Sequence, residues 1–251
     1  MKMLAFDTST RFASIALAED GTVILELNWQ VGQQHSSQLL DRINWVLQTS
    51  RVSAGELGAI AVATGPGSFN GLRVALTAAK TMAFATGASL YGVPTLDVIA
   101  RGCWPARQTA YAILDAGRGQ VYAGLYDSEM NGMETWRPMT GYHIVYPVEL
   151  AEAVTGSVLF CGEWTASIRQ ALELAFGSRA RFVETSGSRR GAWLADLALL
   201  RHRRGERDTA AALEPLYLRR PAITRSSKVT LATAVSSDSV PQGERAASEE
   251  A

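Results

Sequence analysis

The stretch Thr64-Gly-Pro-Gly-Ser-Phe-Asn-Gly-Leu-Arg-Val74 is the chain's strongest candidate for anion chemistry. It joins an apolar run, Leu57 to Ala63, to an Ala-rich segment ending near Ala85. A strand, a glycine turn and a helix in that order aim free backbone amides outward, which suits phosphate. No Gly-Lys-Ser/Thr follows the glycines, so the usual phosphate-loop chemistry is missing. Two acids, Asp7 and Asp115, each end an apolar run beside small residues. In a two-lobed nucleotide-binding fold such acids hold a metal-bound water while the turn wraps phosphate. The competing reading is that Asp7-Thr-Ser-Thr10 is a polar turn capping its own backbone.

Other catalytic groups are scarce. His35, His143 and His202 have no histidine partner at helical i+4 spacing, which excludes a His-x-x-x-His metal pair. His35 reads as a helix-start residue beside Ser36 and Ser37. Cys103 and Cys161 lack metal spacing and an activating neighbour, and read as buried thiols in a reducing compartment. No Gly-x-Ser-x-Gly elbow occurs. This inventory argues against an independent hydrolase.

The elements that must position these groups follow from apolar period and turn signals. Strands are expected at 3–7, 12–18 and 22–29, a helix at 35–48, a strand at 58–63 and a helix at 69–86. A short strand at 89–93 and a helical signal from Pro94 to Ala100 complete the first half. The second half repeats the order. An apolar run at 108–114, a turn at 115–119 and a strand at 120–126 come first. A strand around 134–146, a helix, a strand at 157–161 and a helix at 164–176 follow. A duplicated β-β-β-α-β-α unit with a reduced second lobe is the expected α/β architecture. The boundaries are 1–104 for an N-terminal lobe and 105–222 for a smaller C-terminal lobe. A helix at 191–204 and residues 210–220 are candidates to pack back on the first lobe. Residues 223–251 read as a disordered tail of Ser, Ala, Thr and Glu.

Charge and composition bound the partners. The chain has 251 residues, 47% hydrophobic, with 24 basic and 24 acidic side chains, so it carries no electrostatic footprint for independent nucleic-acid binding. A charge stands too early in Met1-Lys-Met-Leu-Ala-Phe-Asp7 for a secretion signal, and no apolar run spans a bilayer. A cytoplasmic location is expected. The cluster Arg201-His-Arg-Arg204 with Arg207 suits the carbonyl end of a helix; an RNA-facing patch is the minority alternative.

Two helices carry more apolar surface than one sheet uses. On the first, Leu39, Leu40, Ile43, Val46 and Leu47 form one stripe, and Trp45 points nearly opposite it. On the second, Leu72, Leu76, Ala79 and Ala83 form one face and Val74, Ala78 and Thr81 another. Only a narrow strip of Arg73, Thr77 and Lys80 is polar. Either the rest of the chain covers these faces, or they are a patch for a partner.

These motifs resemble the TsaB family, the non-catalytic subunit of the bacterial tRNA threonylcarbamoyladenosine machinery. The matching strings are Leu4-Ala-Phe-Asp-Thr-Ser-Thr10, His35-Ser-Ser-Gln-Leu-Leu40 and Gly65-Pro-Gly-Ser-Phe-Asn-Gly-Leu-Arg73. They continue with Gly92-Val-Pro-Thr-Leu96, Asp115-Ala-Gly-Arg-Gly-Gln-Val-Tyr122 and Pro215-Leu-Tyr-Leu-Arg219. They run in order over residues 3–220. Asn70 stands where the family usually has Thr, Gly117 and Gln120 replace a common Arg and Glu, and Gly162-Glu-Trp164 replaces a more glycine-rich turn.

The resemblance implies a two-lobed actin/hexokinase-like, ribonuclease H-like fold. It implies a scaffold and activator without catalytic residues, metal or cofactor of its own, similar to its catalytic partner TsaD but lacking the metal-binding histidine pair. It implies a heterodimer with TsaD, joined by TsaE, that transfers a threonylcarbamoyl group to N6 of adenosine 37 in tRNAs reading codons that begin with A. ATP and threonylcarbamoyl-adenylate are handled by the complex, tRNA contact is indirect or minor, and a homodimer is possible in isolation. Carried onto this chain, the partner face comprises His35, Leu39, Arg42, Trp45, Phe69, Arg73, Val74, Thr77, Ala78 and Thr81. The degenerate nucleotide-site positions are Asp7, Thr8, Ser9, Gly65, Gly67, Ser68, Asp115 and Gly162. The alternative is a stand-alone ATPase or small-molecule kinase of the same superfamily; a metallopeptidase lacks its histidine pair.

Overall fold

Alternation of large and small side chains along the first strands sets the layering. In β1 (Lys2–Asp7), Leu4 and Phe6 point to one face while Met3 and Ala5 point to the other. In β4 (Leu57–Ala63), Ile60 and Val62 share the face of Leu4 and Phe6, and Ala59 and Ala61 share that of Ala5. Both strands are buried on both sides, as a helix-covered central strand must be. The bulky face takes α1 (His35–Thr49) and α2 (Phe69–Thr86); the alanine face admits α6 (Gly191–Arg203) at close range, while α3 (Thr95–Cys103) packs on α6 and on the second sheet. The computed structural model from which this comes describes residues 1–31, 35–103, 108–127, 138–183 and 191–219. The tail expected at 223–251 lies outside them.

β1 pairs antiparallel with β2 (Phe12–Glu19), which pairs antiparallel with β3 (Thr22–Gln30) through the tight Asp20-Gly21 turn. β1 also pairs in parallel with β4, and β4 with β5 (Ser89–Val93). The order is β3-β2-β1-β4-β5. The second sheet holds β6 (Ala110–Gly117), β7 (Gln120–Tyr126), β8 (Tyr142–Val145), β9 (Val158–Glu163) and β10 (Ala180–Phe182), in the order β10-β9-β6-β7-β8. Read from the other edge, this is the same order as the first sheet, with the same parallel and antiparallel partners. The molecule is thus a duplicated mixed α/β sheet of the actin/hexokinase-like class. α4 (Pro147–Glu152) and α5 (Ala166–Phe176) cover the second sheet with an aromatic core of Tyr111, Phe160 and Phe176, and they are shorter than α1 and α2.

Two details depart from the sequence reading. β10, only three residues long, is paired to β9 and completes the second sheet, whereas the helix at 164–176 was the last element expected there. β6 runs on to Gly117 with a register shift, so the expected turn at 115–119 is confined to the tip. A strand expected around 134–146 is β8 at its far end; residues 134–137 lie outside the described part.

α6 and the segment after it return to the first sheet. Gly191 meets β2 so closely that a Cβ would stand 2.7 Å from the Ala16 nitrogen, and its own N–H donates to the Ser14 hydroxyl. Asp208 then accepts from the Gly92 N–H at 2.6 Å and from both ends of the Arg201 guanidinium at 2.7 and 3.0 Å. Leu216 N–H donates to the Thr64 carbonyl at 2.7 Å, and Arg219 donates to the Ala116 carbonyl of the second lobe at 2.9 Å. Burial pushes the Asp208 carboxyl up, but the Arg201 and Gly92 hydrogen bonds and the Arg201 charge outweigh it, so its pKa lies below 3.8. A carboxyl depressed by folding contributes stability above its unfolded pKa and loses it as pH falls through the folded one. Asp208→Asn is therefore expected to cost about 1–3 kcal/mol in urea unfolding at pH 7. The difference from wild type should shrink steadily once the pH falls below 3.8.

Candidate functional site

The glycine turn is held by contacts that engage the Gly65, Ser68 and Gly71 amides. β1 ends at Asp7, whose Oδ1 accepts the Ser9 N–H at 2.7 Å. The turn so formed presses its carbonyls against the start of α2. The Ser9 carbonyl accepts the Ser68 N–H at 2.6 Å, and the Thr8 hydroxyl donates to the Gly71 carbonyl at 2.8 Å. A Cβ on Gly67 would stand 2.1 Å from the Ser9 oxygen, and one on Gly71 would stand 2.0 Å from the Thr8 oxygen. These glycines serve backbone contact. Gly65 N–H donates to the Thr95 hydroxyl at 3.2 Å, which itself donates to the Ser9 hydroxyl at 3.1 Å. Ser68 caps α2 by accepting the Gly71 N–H at 3.3 Å.

The second lobe copies the acid turn without the clamp. Asp115 Oδ1 accepts the Gly117 N–H at 2.7 Å, the counterpart of Asp7 and Ser9. Asp115 is exposed whereas Asp7 and Thr8 are buried. Between the lobes lies a cleft of about 450 Å³, with Ser9, Thr10, Arg11, Gly67 and Ser68 on one side and Asp115, Tyr122, Glu163 and Trp164 on the other. Four of the eight nucleotide-site positions, Ser9, Gly67, Ser68 and Asp115, meet at this cleft. Asp7 and Thr8 support it from beneath. Gly65 packs against Leu72 and the Leu216 carbonyl. Gly162, at φ 131°, is required by its approach to the Ile113 carbonyl, which a Cβ would meet at 1.9 Å.

Glu163, which the sequence reading saw only as part of a departure from the family, is buried in the cleft wall. It accepts the Thr10 hydroxyl at 2.8 Å from the opposite lobe. The described lining thus carries two carboxylates, Asp115 and Glu163, against one guanidinium, Arg11, a poor balance for a polyphosphate. Among the described residues no group of three or more His, Cys, Asp or Glu is gathered to hold a metal.

The helix pair lies on the far side of the first sheet. α1 buries Ile43, Val46 and Leu47, and Trp45 is 50% exposed on the opposite face. Leu39 needs correction: it is fully buried in the chain's own core, so it stabilises the helix from within and belongs to no partner face. Leu40, expected in the inner stripe, instead points outward at 56% exposure. Arg42 stacks its guanidinium 4.6 Å from the centre of the Trp29 ring. His35 is the first residue of α1, its side chain outside the described part.

On α2 the outward line runs Phe69, Arg73, Thr77, Thr81 and Phe84 at spacings of four, four, four and three residues. Val74 and Ala78, placed on an outer face from the sequence, are half-buried against the core. Phe84, 89% exposed, was missed. It follows Ala83 on a helix whose alanines drew attention to close packing, and the 81-to-84 step along the line was its available signal. Arg73 lies 5.0 Å over the Phe69 ring, which leans on Tyr217 at 5.3 Å. Burial pushes the Tyr217 phenol up and the Arg73 charge opposes it.

A two-lobed fold of duplicated mixed sheets with a clamped glycine turn and an exposed aromatic helix face is thus the class. Comparison with known proteins narrows it. Residues 29–225 match the family model for TsaD, tRNA N6-adenosine threonylcarbamoyltransferase. The Bacillus subtilis tRNA threonylcarbamoyladenosine biosynthesis protein TsaB is 31% identical over 186 residues, covering 74% of this chain and 81% of the relative. The Escherichia coli protein of the same name is 34% identical over 135 residues, or 53% and 58% of the two chains. A Pseudomonas aeruginosa crystal structure, described as an uncharacterized protein with similarity to peptidase YEAZ, superposes with a TM-score of 0.75. It shares 26% identity over 87% of this chain and 99% of its own. The chain belongs to the TsaB family of tRNA threonylcarbamoyladenosine biosynthesis proteins. No helix of the described residues is long and apolar enough to cross a membrane.

The clamp between the Ser9 carbonyl and Gly67 gives a direct test. Gly67→Ala forces the turn and the loop apart, and is expected to destabilise the protein by about 2 kcal/mol or more in urea or thermal unfolding. Gly177→Ala, at a site with no atom within 4 Å of a Cβ, pays only for its φ of 56° and should cost clearly less.

Proposed function

We propose that this chain is a non-catalytic scaffold and activator subunit that binds a TsaD-type partner through α1 and α2, within the machinery for N6-threonylcarbamoylation of adenosine 37 in tRNA. The observation that carries this reading is the outward line of Phe69, Arg73, Thr77, Thr81 and Phe84 beside exposed Trp45 and Leu40. Exposed aromatics flanked by one arginine have the composition of an interface centre, and leaving them in water forfeits a sizeable stabilisation. The clamped glycine turn supports the same reading. With the Gly65 and Ser68 amides engaged inside the protein, the turn offers fewer free donors to a phosphate than a kinase of this fold needs.

On this proposal ATP and the threonylcarbamoyl-adenylate are handled by the complex, TsaE joins it, tRNA contact is indirect, and the setting is the cytoplasm. In isolation the same face supports a homodimer, which TsaD displaces. Co-elution of the purified chain with TsaD on size exclusion at micromolar concentration is the expected result. Trp45→Ala should weaken the complex roughly 30-fold or more, the effect of a hot-spot residue, and Thr77→Arg should abolish co-elution. Circular dichroism of both variants should match wild type, because both positions are exposed. Micromolar binding of magnesium-ATP by the isolated chain in calorimetry, with no complex formed with TsaD, would overturn the reading.

A further inference from the structure

The outer side of the helix pair is apolar and aromatic, but the charges set into it are almost all of one sign. α2 holds Arg73 and Lys80 and no acid among its 18 residues. α1 adds Arg42 and a single acid, Asp41. The whole chain balances 24 basic against 24 acidic side chains, so three cations against one acid on this pair is a local segregation. Among the described residues none of the three cations has an ion-pair partner. Arg42 instead lies over the Trp29 ring at 4.6 Å and Arg73 over the Phe69 ring at 5.0 Å. A guanidinium held over a ring keeps its N–H edge for an acceptor. Arg73 and Lys80 are seven residues apart, close to two helical turns. They therefore share one side of α2, with exposed Thr77 between them, and stand about 10 Å apart along the axis.

We propose that this face takes an acidic occupant: an amphipathic helix of the TsaD-type partner, with carboxylates about two turns apart that pair with Arg73 and Lys80 at the border of the apolar contact. The inference rests on the partner reading above and names the chemistry of that partner. Charge here also discriminates between occupants. A second copy of this chain on the same face brings the cations of both copies together, with one acid from each. Burial of Trp45, Phe69 and Phe84 then works against like-charge repulsion. The same residues thus weaken self-association and steer an acidic helix toward the apolar surface. Salt acts on the two complexes in opposite directions. Screening relieves the repulsion between copies and weakens the attraction to the partner.

The test compares the full wild-type chain with the double variant Arg73→Gln, Lys80→Gln. Self-association is measured by analytical ultracentrifugation, and binding to purified TsaD by association and dissociation kinetics. Both are run in sodium chloride at about 0.1 M and about 1 M, between which the Debye length falls from about 10 Å to about 3 Å. Wild-type affinity for TsaD is expected to fall roughly tenfold or more at high salt, chiefly in the association rate, while self-association tightens. At low salt the variant should bind TsaD roughly tenfold more weakly and self-associate more tightly, and it should lose most of its salt dependence in both reactions. Its circular dichroism should match wild type, because neither side chain is buried. Comparing the two proteins at each salt concentration separates charge from any general effect of salt on apolar contact. The inference is overturned if TsaD binds both proteins equally at both salt concentrations, if salt strengthens that complex, or if the variant self-associates no more tightly than wild type. Those results leave the partner reading standing. Absence of any complex with TsaD at either salt concentration overturns the partner reading, and this inference with it.

Discussion

The fold of the first lobe turns on two carbonyl oxygens, those of Thr8 and Ser9, that occupy the space where side chains of Gly71 and Gly67 would begin. From this contact follow the start of α2, the engagement of the Ser68 amide and the position of Phe69 one residue into the helix. The strand-turn-helix order is that of a phosphate-binding element, yet its glycines are spent on bringing two backbone segments together. A glycine at such a place is required for closeness. The duplicate turn in the second lobe lacks the clamp, and there Asp115 stands exposed at the cleft.

Asymmetry between the two faces of the first sheet produces the division of labour. The bulky side, with Leu4, Phe6, Ile60 and Val62, accepts the inner faces of α1 and α2 and turns their outer faces away from the molecule. The alanine side receives α6, and α3 joins α6 to the second sheet in the layer that holds Ala112, Leu114 and Tyr126. Small residues are used where two layers must approach, and large ones where a helix lies over a strand at ordinary spacing. One face is thus devoted to internal assembly, and beyond the other the outer sides of α1 and α2 keep Leu40, Trp45, Phe69 and Phe84 exposed.

Much of this could be read from residue order alone. Strands rich in Val, Ile and Ala, the Asp20-Gly21 turn and the stripe of Ile43, Val46 and Leu47 each fixed one element, and the repeated order of elements disclosed the duplication. What stayed hidden depended on distance in space. β10 is three residues long and gains its identity only from pairing with β9. Leu39 and Leu40 are neighbours of equal hydrophobicity, and a rotation of 100° per residue sends one inward and the other out. Val74 and Ala78 read as a second apolar face, but both are half-buried against the core, and the true outer line passes through threonines and two phenylalanines. The meeting of Thr10 with Glu163 joins positions separated by more than a hundred residues, which no local pattern encodes.

The return of α6 to the alanine face has a consequence for the order of synthesis. Strands β1, β2, β4 and β5 leave the ribosome long before residues 191–203 exist to cover Ala5, Ala18, Ala59 and Ala61. At translation speeds of about 5–20 residues per second, that greasy surface stays bare for on the order of ten seconds. A nascent chain of this design depends on whatever shields it in that interval, and a message truncated before codon 191 would yield a sheet with one side permanently uncovered.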